Sequence, residues 1–105
     1  MGIFSNLFGL GASGKALSEA LLNGSSIVDV RSPGEFSGGH VPGSLNIPLN
    51  KIPDSIERIK SLKGPVVLCC ASGMRSSQAT DFLKSKGVEC LNGGGWSSVN
   101  AAMKK

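Results

Sequence analysis

The alternation of short apolar runs with helix-spaced segments limits this chain to few folds. Ile27–Val30, Leu45–Ile47, Val66–Cys69 and Val88–Leu91 are brief apolar runs bounded by Gly, Pro, Asn or Ser, as buried strands are. Between them lie segments of helical period. Lys15–Leu22 places Ala16, Leu17, Ala20 and Leu21 on one stripe, and Gly24 stops it. Ser32-Pro33-Gly34-Glu35 reads as a cap, a first-position proline and a capping-box glutamate, with Gly38-Gly39 ending that helix. Ile52, Ile56, Ile59 and Leu62 share a face, with Pro53 and Asp54 suiting the first turn. A helix starting at Arg75 or Ser76 buries Ala79, Phe82 and Leu83 and ends at Gly87. Asn92–Trp96 reads as a turn, and Ser97–Met103 as a last short helix. Strands alternating with helices predict an α/β domain with a mostly parallel sheet.

The 105 residues suit a single domain, taken as 14–105. Residues 1–13 form an apolar lead in which Ile3, Phe4, Leu7 and Phe8 have helical spacing, so a short helix packed on the domain is expected. No apolar run is long enough to span a membrane, the N-terminus lacks a basic leader, and Asn6 stands where myristoylation wants Ser or Thr. The expectation is a cytoplasmic protein without membrane contact. The net charge of +4 falls wholly in residues 61–105, spread over separate lysines and Arg75. Nucleic acid would call for a denser basic stripe with more aromatics, so a small anionic ligand is the better match. Cys69, Cys70 and Cys90 are too few and too badly spaced for a disulfide framework or a zinc site. No zinc site is expected.

One segment has the makings of a reactive site. Cys70 follows a strand and heads Ala71-Ser72-Gly73-Met74-Arg75-Ser76, a short loop entering a helix. Backbone N–H groups and the positive helix end gather at such a place, and they favour a thiolate nucleophile. Gly73 permits a tight loop, Arg75 adds a cation, and no acidic residue occurs between Gly64 and Thr80.

Cys70–Ser76 resembles the active-site loop of the rhodanese (sulfurtransferase) domain. Asp29–Phe36 with Gly39–Pro48 is similar to the first signature of that family, and Asn92–Trp96 to its glycine-and-tryptophan segment near the end. The resemblance runs over about residues 14 to 100. It implies a rhodanese-like α/β fold, a parallel sheet of about five strands with helices on both faces. It also implies thiosulfate-type sulfur transfer: Cys70 as nucleophile, residues Ala71, Ser72, Gly73, Met74 and Arg75 as the cradle of a Cys70 persulfide, and Arg75 as a partner for a small anionic donor. The acceptor would be a small-molecule or protein thiol, or cyanide, and because the sulfur would ride on the protein the resemblance implies no metal and no organic cofactor.

Asp29, Arg31 and Glu35 are expected to form an ion-pair and capping network that braces the loops. Arg31 could pair with Asp29 or with Glu35. His40, in a Gly-His-Val-Pro-Gly turn, is expected to make a structural hydrogen bond. Trp96 is either a core plug or a wall of the site. Cys90, read as lying at the carboxyl end of its strand like Cys70, is a candidate relay thiol. Two departures from the family stand out: Cys69 replaces the aromatic residue that often precedes the nucleophile, and Trp96 follows the glycines directly. Two other readings remain open. Counted from Cys69, the loop is Cys-x5-Arg, the spacing of phosphatases and arsenate reductases on the same fold; counted from Cys70 it is one residue short. The chain could also serve as a non-catalytic binding or sulfur-carrier module.

Overall fold

The computed structural model of the chain describes residues 14–103. Its elements run α1 (Gly14–Leu22), β1 (Ile27–Asp29), α2 (Pro33–Ser37), β2 (Leu45–Asn46), a 3-10 helix (Leu49–Ser55), α3 (Ile56–Lys60), β3 (Val66–Cys70), α4 (Met74–Ser85), β4 (Cys90–Gly95) and α5 (Trp96–Met103). The apolar lead expected to be helical, residues 1–13, lies outside the described residues, as do Lys104 and Lys105. No helix among the described residues is long and apolar enough to cross a membrane.

The strands form one parallel sheet in the order β2-β1-β3-β4, so the described residues contribute four strands rather than about five. β3 is buried at every position and lies inside the sheet beside β1, whereas the two-residue β2 is an edge. Alternate side chains of the sheet feed two cores. Val28, Val30, Val66, Leu68 and Cys70 pack with Ile52, Ile59, Ala79 and Leu83 from the 3-10 helix, α3 and α4. Ile27, Val67 and Cys69 pack on the other face with Leu17 and Ala20 of α1 and Val99 of α5. Helices therefore cover both faces.

Local signals set the ends of the elements. Gly24 (φ 81°) closes α1: Ser25 N–H donates to Ala20 at 3.0 Å and Gly24 N–H to Leu21 at 3.1 Å, a Schellman cap. Ser32 and Glu35 form the expected capping box at α2. The Ile52–Leu62 stripe is divided: Ile52 lies in the 3-10 helix, Ile56 and Ile59 in α3, and Leu62 just beyond it.

The region read as a turn, Asn92–Gly95, is strand. β4 pairs with β3 as far as Cys70↔Gly95, with a register shift between Leu68 and Cys69 that takes up the extra glycine. Trp96 is the first residue of α5. Cys90 consequently lies at the amino end of β4, opposite Val66. It stands about four residues, or about 13 Å, along the sheet from the Cys70 end, and its thiol donates to the Thr80 carbonyl at 3.6 Å. That placement removes Cys90 as a relay thiol.

Candidate active site

From β1 the chain turns to β2 on one side of the sheet and later to β3 on the other, so the order reverses between β1 and β3. The carboxyl ends of strands on either side of such a reversal are the usual ligand position in parallel sheets. Asp29 ends β1 and Cys70 ends β3.

Strand alternation separates the adjacent cysteines. Cys69 turns into the core formed with Val41, Val67 and Val99, whereas Cys70 belongs to the opposite face. Their surroundings differ in kind. Burial, followed by the charge of Asp29, pushes the Cys69 thiol up to about 12, so it stays protonated at neutral pH. Cys70 is also buried, and burial alone would raise its pKa. Hydrogen bonds from the Ser76 hydroxyl and from the N–H groups of Ser76, Gly73 and Ser72 outweigh burial and bring it below the ordinary thiol value. Gly73 N–H lies 3.0 Å from Cys70 Sγ, Ser76 N–H 3.4 Å and Ser76 Oγ 3.4 Å.

The loop can point its amides inward because Gly73 takes φ 100°, a left-handed value that costs a side-chain-bearing residue about 1–2 kcal/mol. Ala71, Ser72 and Met74 lie on the exposed rim. Beneath the loop, Ser76 Oγ donates to Asn92 Oδ1 at 2.7 Å or to Gly73 O at 3.2 Å, and Asn92 Nδ2 donates to Gly73 O at 3.1 Å. Gly94 N–H donates to Asn92 Oδ1 at 2.9 Å. Asn92 thus ties the loop carbonyl and the serine hydroxyl to β4. Ser76 and Asn92 were missing from the sequence-derived site. Ser76 was within reach, since it ends the Cys70 motif one helical turn inside α4. Asn92 heads the segment that resembles the family's glycine-and-tryptophan motif, but the glycines after it read as a turn and gave it no place beside Cys70.

The supporting residues separate into two ion pairs. Arg31 pairs with Asp29, not with the Glu35 carboxylate: its Nε and Nη2 donate to the Asp29 oxygens at 2.8–3.1 Å, and its Nη2 also donates to Gly39 O at 2.6 Å. The Trp96 ring lies 4.9 Å from this guanidinium, and Trp96 also packs against the α1/α5 core. The Glu35 carboxylate instead meets Arg75, with Nη1–Oε1 at 2.8 Å and Nη2–Oε2 at 3.0 Å. Arg75, expected as an open cation at the loop, is therefore already engaged. His40 is exposed, stacks on Phe36 at 3.7 Å and hydrogen-bonds the Phe36 carbonyl through Nδ1 at 2.8 Å.

Such a cradle at the head of α4 is the part of the molecule to compare with known proteins. The Rhodanese-like domain matches residues 13–102. The chain belongs to the rhodanese-like family. It is 38% identical over 90 residues to "Thiosulfate sulfurtransferase 16, chloroplastic" of Arabidopsis thaliana, covering 72% of this chain and 75% of that protein. It is 41% identical over 61 residues to the uncharacterised protein YqhL of Bacillus subtilis, covering 58% of this chain and 48%, about half, of YqhL. Among solved structures, Bacillus anthracis CoADR-RHD superposes with a TM-score of 0.72 at 29% identity. That match covers 94% of this chain and 18% of the longer chain. The match to this rhodanese-like domain takes in Asp29, Cys70 and Asn92.

Proposed function

We propose that this rhodanese-like domain is a sulfurtransferase that carries sulfane sulfur as a Cys70 persulfide, taking it from a thiosulfate-like donor. The observation that carries this reading is the set of donors converging on Cys70 Sγ, which favours the thiolate over the thiol. The thiolate attacks the outer sulfur of thiosulfate. A Cys70–sulfur bond forms, the donor sulfur–sulfur bond breaks, and the bonding pair leaves with sulfite. Loop amides that stabilise the thiolate are placed to stabilise the charged outer sulfur as well. Cyanide or a small-molecule or protein thiol then removes that sulfur and restores the thiolate. The sulfur travels on the protein, and no redox partner is required.

The similarity to a protein named thiosulfate sulfurtransferase supports the donor class. Against the Cys-x5-Arg reading stands the place of Cys69, which faces the opposite core with a pKa pushed up to about 12. Asp29, Arg31, Glu35 and Trp96 serve in this proposal as braces of the loops around Cys70. The test is thiosulfate-dependent thiocyanate formation from cyanide by the wild type, Cys70→Ser and Cys69→Ser. Turnover should vanish in Cys70→Ser and survive in Cys69→Ser. Hydrolysis of an aryl phosphate without sulfur transfer would overturn the proposal.

A further inference from the structure

The Arg75 guanidinium is held in a two-point fork by the Glu35 carboxylate, at 2.8 and 3.0 Å. That is the geometry with which arginine recognises an anion. Glu35 comes from a different element, α2, and its position is fixed independently. As the third residue of the capping box, it accepts from the Ser32 N–H at 3.0 Å and the Ser32 hydroxyl at 3.1 Å, both on Oε1. Arg31, the other guanidinium at this end of the sheet, is buried on Asp29. The Arg75–Glu35 pair is much more open, with 38% and 39% of the two side chains exposed. Arg75 stands between Gly73 and Ser76, whose N–H groups lie 3.0 and 3.4 Å from Cys70 Sγ, so the fork borders the loop that holds the sulfur.

We propose that Glu35 is a specificity-determining residue: its carboxylate occupies the Arg75 fork that an anionic reagent approaching Cys70 would otherwise use. An anionic donor must compete with Glu35 for this fork, whereas a neutral reagent need not. The idea rests on the sulfurtransferase reading only for the identity of the natural donor. The competition itself can be measured without sulfur transfer.

Iodoacetate and iodoacetamide are nearly isosteric, one anionic and one neutral, and both alkylate a thiolate. The ratio of their second-order rate constants at Cys70, read by mass spectrometry of the Cys70 peptide at one pH, cancels the thiolate fraction. Glu35→Gln retains an oxygen for the capping box. It should raise the iodoacetate-to-iodoacetamide ratio about two- to fivefold, the scale of an exposed ion pair. The same substitution in an Arg75→Ala background should raise it by less than half as much, because no fork remains to be freed. An unchanged ratio in Glu35→Gln overturns the proposal. So does an equal rise in both backgrounds, which would show only the long-range removal of a negative charge. Failure of the wild type to accept sulfur from thiosulfate would remove the sulfurtransferase reading and leave this comparison intact.

Discussion

Ser76 brings one hydroxyl within hydrogen-bond distance of three acceptors: Cys70 Sγ, Gly73 O and Asn92 Oδ1. It has one proton to donate, so its bond to the sulfur strengthens as the thiol loses its own proton. Ser76→Ala removes the largest influence that lowers the Cys70 pKa. A lost hydrogen bond of about 1 kcal/mol corresponds to about fivefold less thiolate. Alkylation of Cys70 should slow by about that factor at pH values below the thiol's own pKa, with its pH profile displaced upward. The sign follows from the folded thiol lying below the unfolded one. The thiolate's contribution to stability is present above the unfolded pKa and disappears as pH falls through the folded value. Gly73→Ala should act on the same atom through the backbone: a side chain at φ 100° costs about 1–2 kcal/mol and swings the 73 amide away from the sulfur. Cys70 was legible in the sequence because loop, helix start and cysteine are contiguous. The Glu35–Arg75 pair was not, since its partners stand 40 residues apart and meet only when β1 and β3 lie side by side.

At the scale of elements, β4 shows how glycine can be strand. A Cβ on Gly93 would lie 2.8 Å from both Val67 Cγ1 and Val99 Cγ2, and one on Gly95 would lie 2.9 Å from the Ala71 carbonyl oxygen. The run is glycine because β3, α5 and the Cys70 loop press against its backbone. Tolerance for positive φ explains only Gly94. Three glycines in succession read as a turn from local signals, and close approach by distant residues is invisible at that range. Gly93→Ala should destabilise by about 1–3 kcal/mol through overpacking. Thermal melting should detect it as a drop of about 4–8 °C per kcal/mol. The helix stripes and the α2 cap were legible because their signals span only a few residues. Strand order was not, because it depends on which runs are buried on both faces.

Across the whole molecule, the Asp29–Arg31 pair links the end of β1 to the Gly39 carbonyl and the Trp96 ring on α5. Both groups are nearly excluded from solvent. Asp29→Asn leaves Arg31 charged and buried without its counter-ion. It should cost about 3–5 kcal/mol in urea unfolding, more than the same change at the exposed Glu35. In the proposed mechanism the sheet, the two cores and this buried pair hold the Cys70 sulfur at the point where the strand order reverses. Mass spectrometry after incubation with thiosulfate tests that claim most directly. The account predicts a gain of about 32 Da, one sulfur atom, on the peptide containing Cys69 and Cys70, present in the wild type and in Cys69→Ser and absent in Cys70→Ser. An adduct that survives in Cys70→Ser and disappears in Cys69→Ser would contradict it.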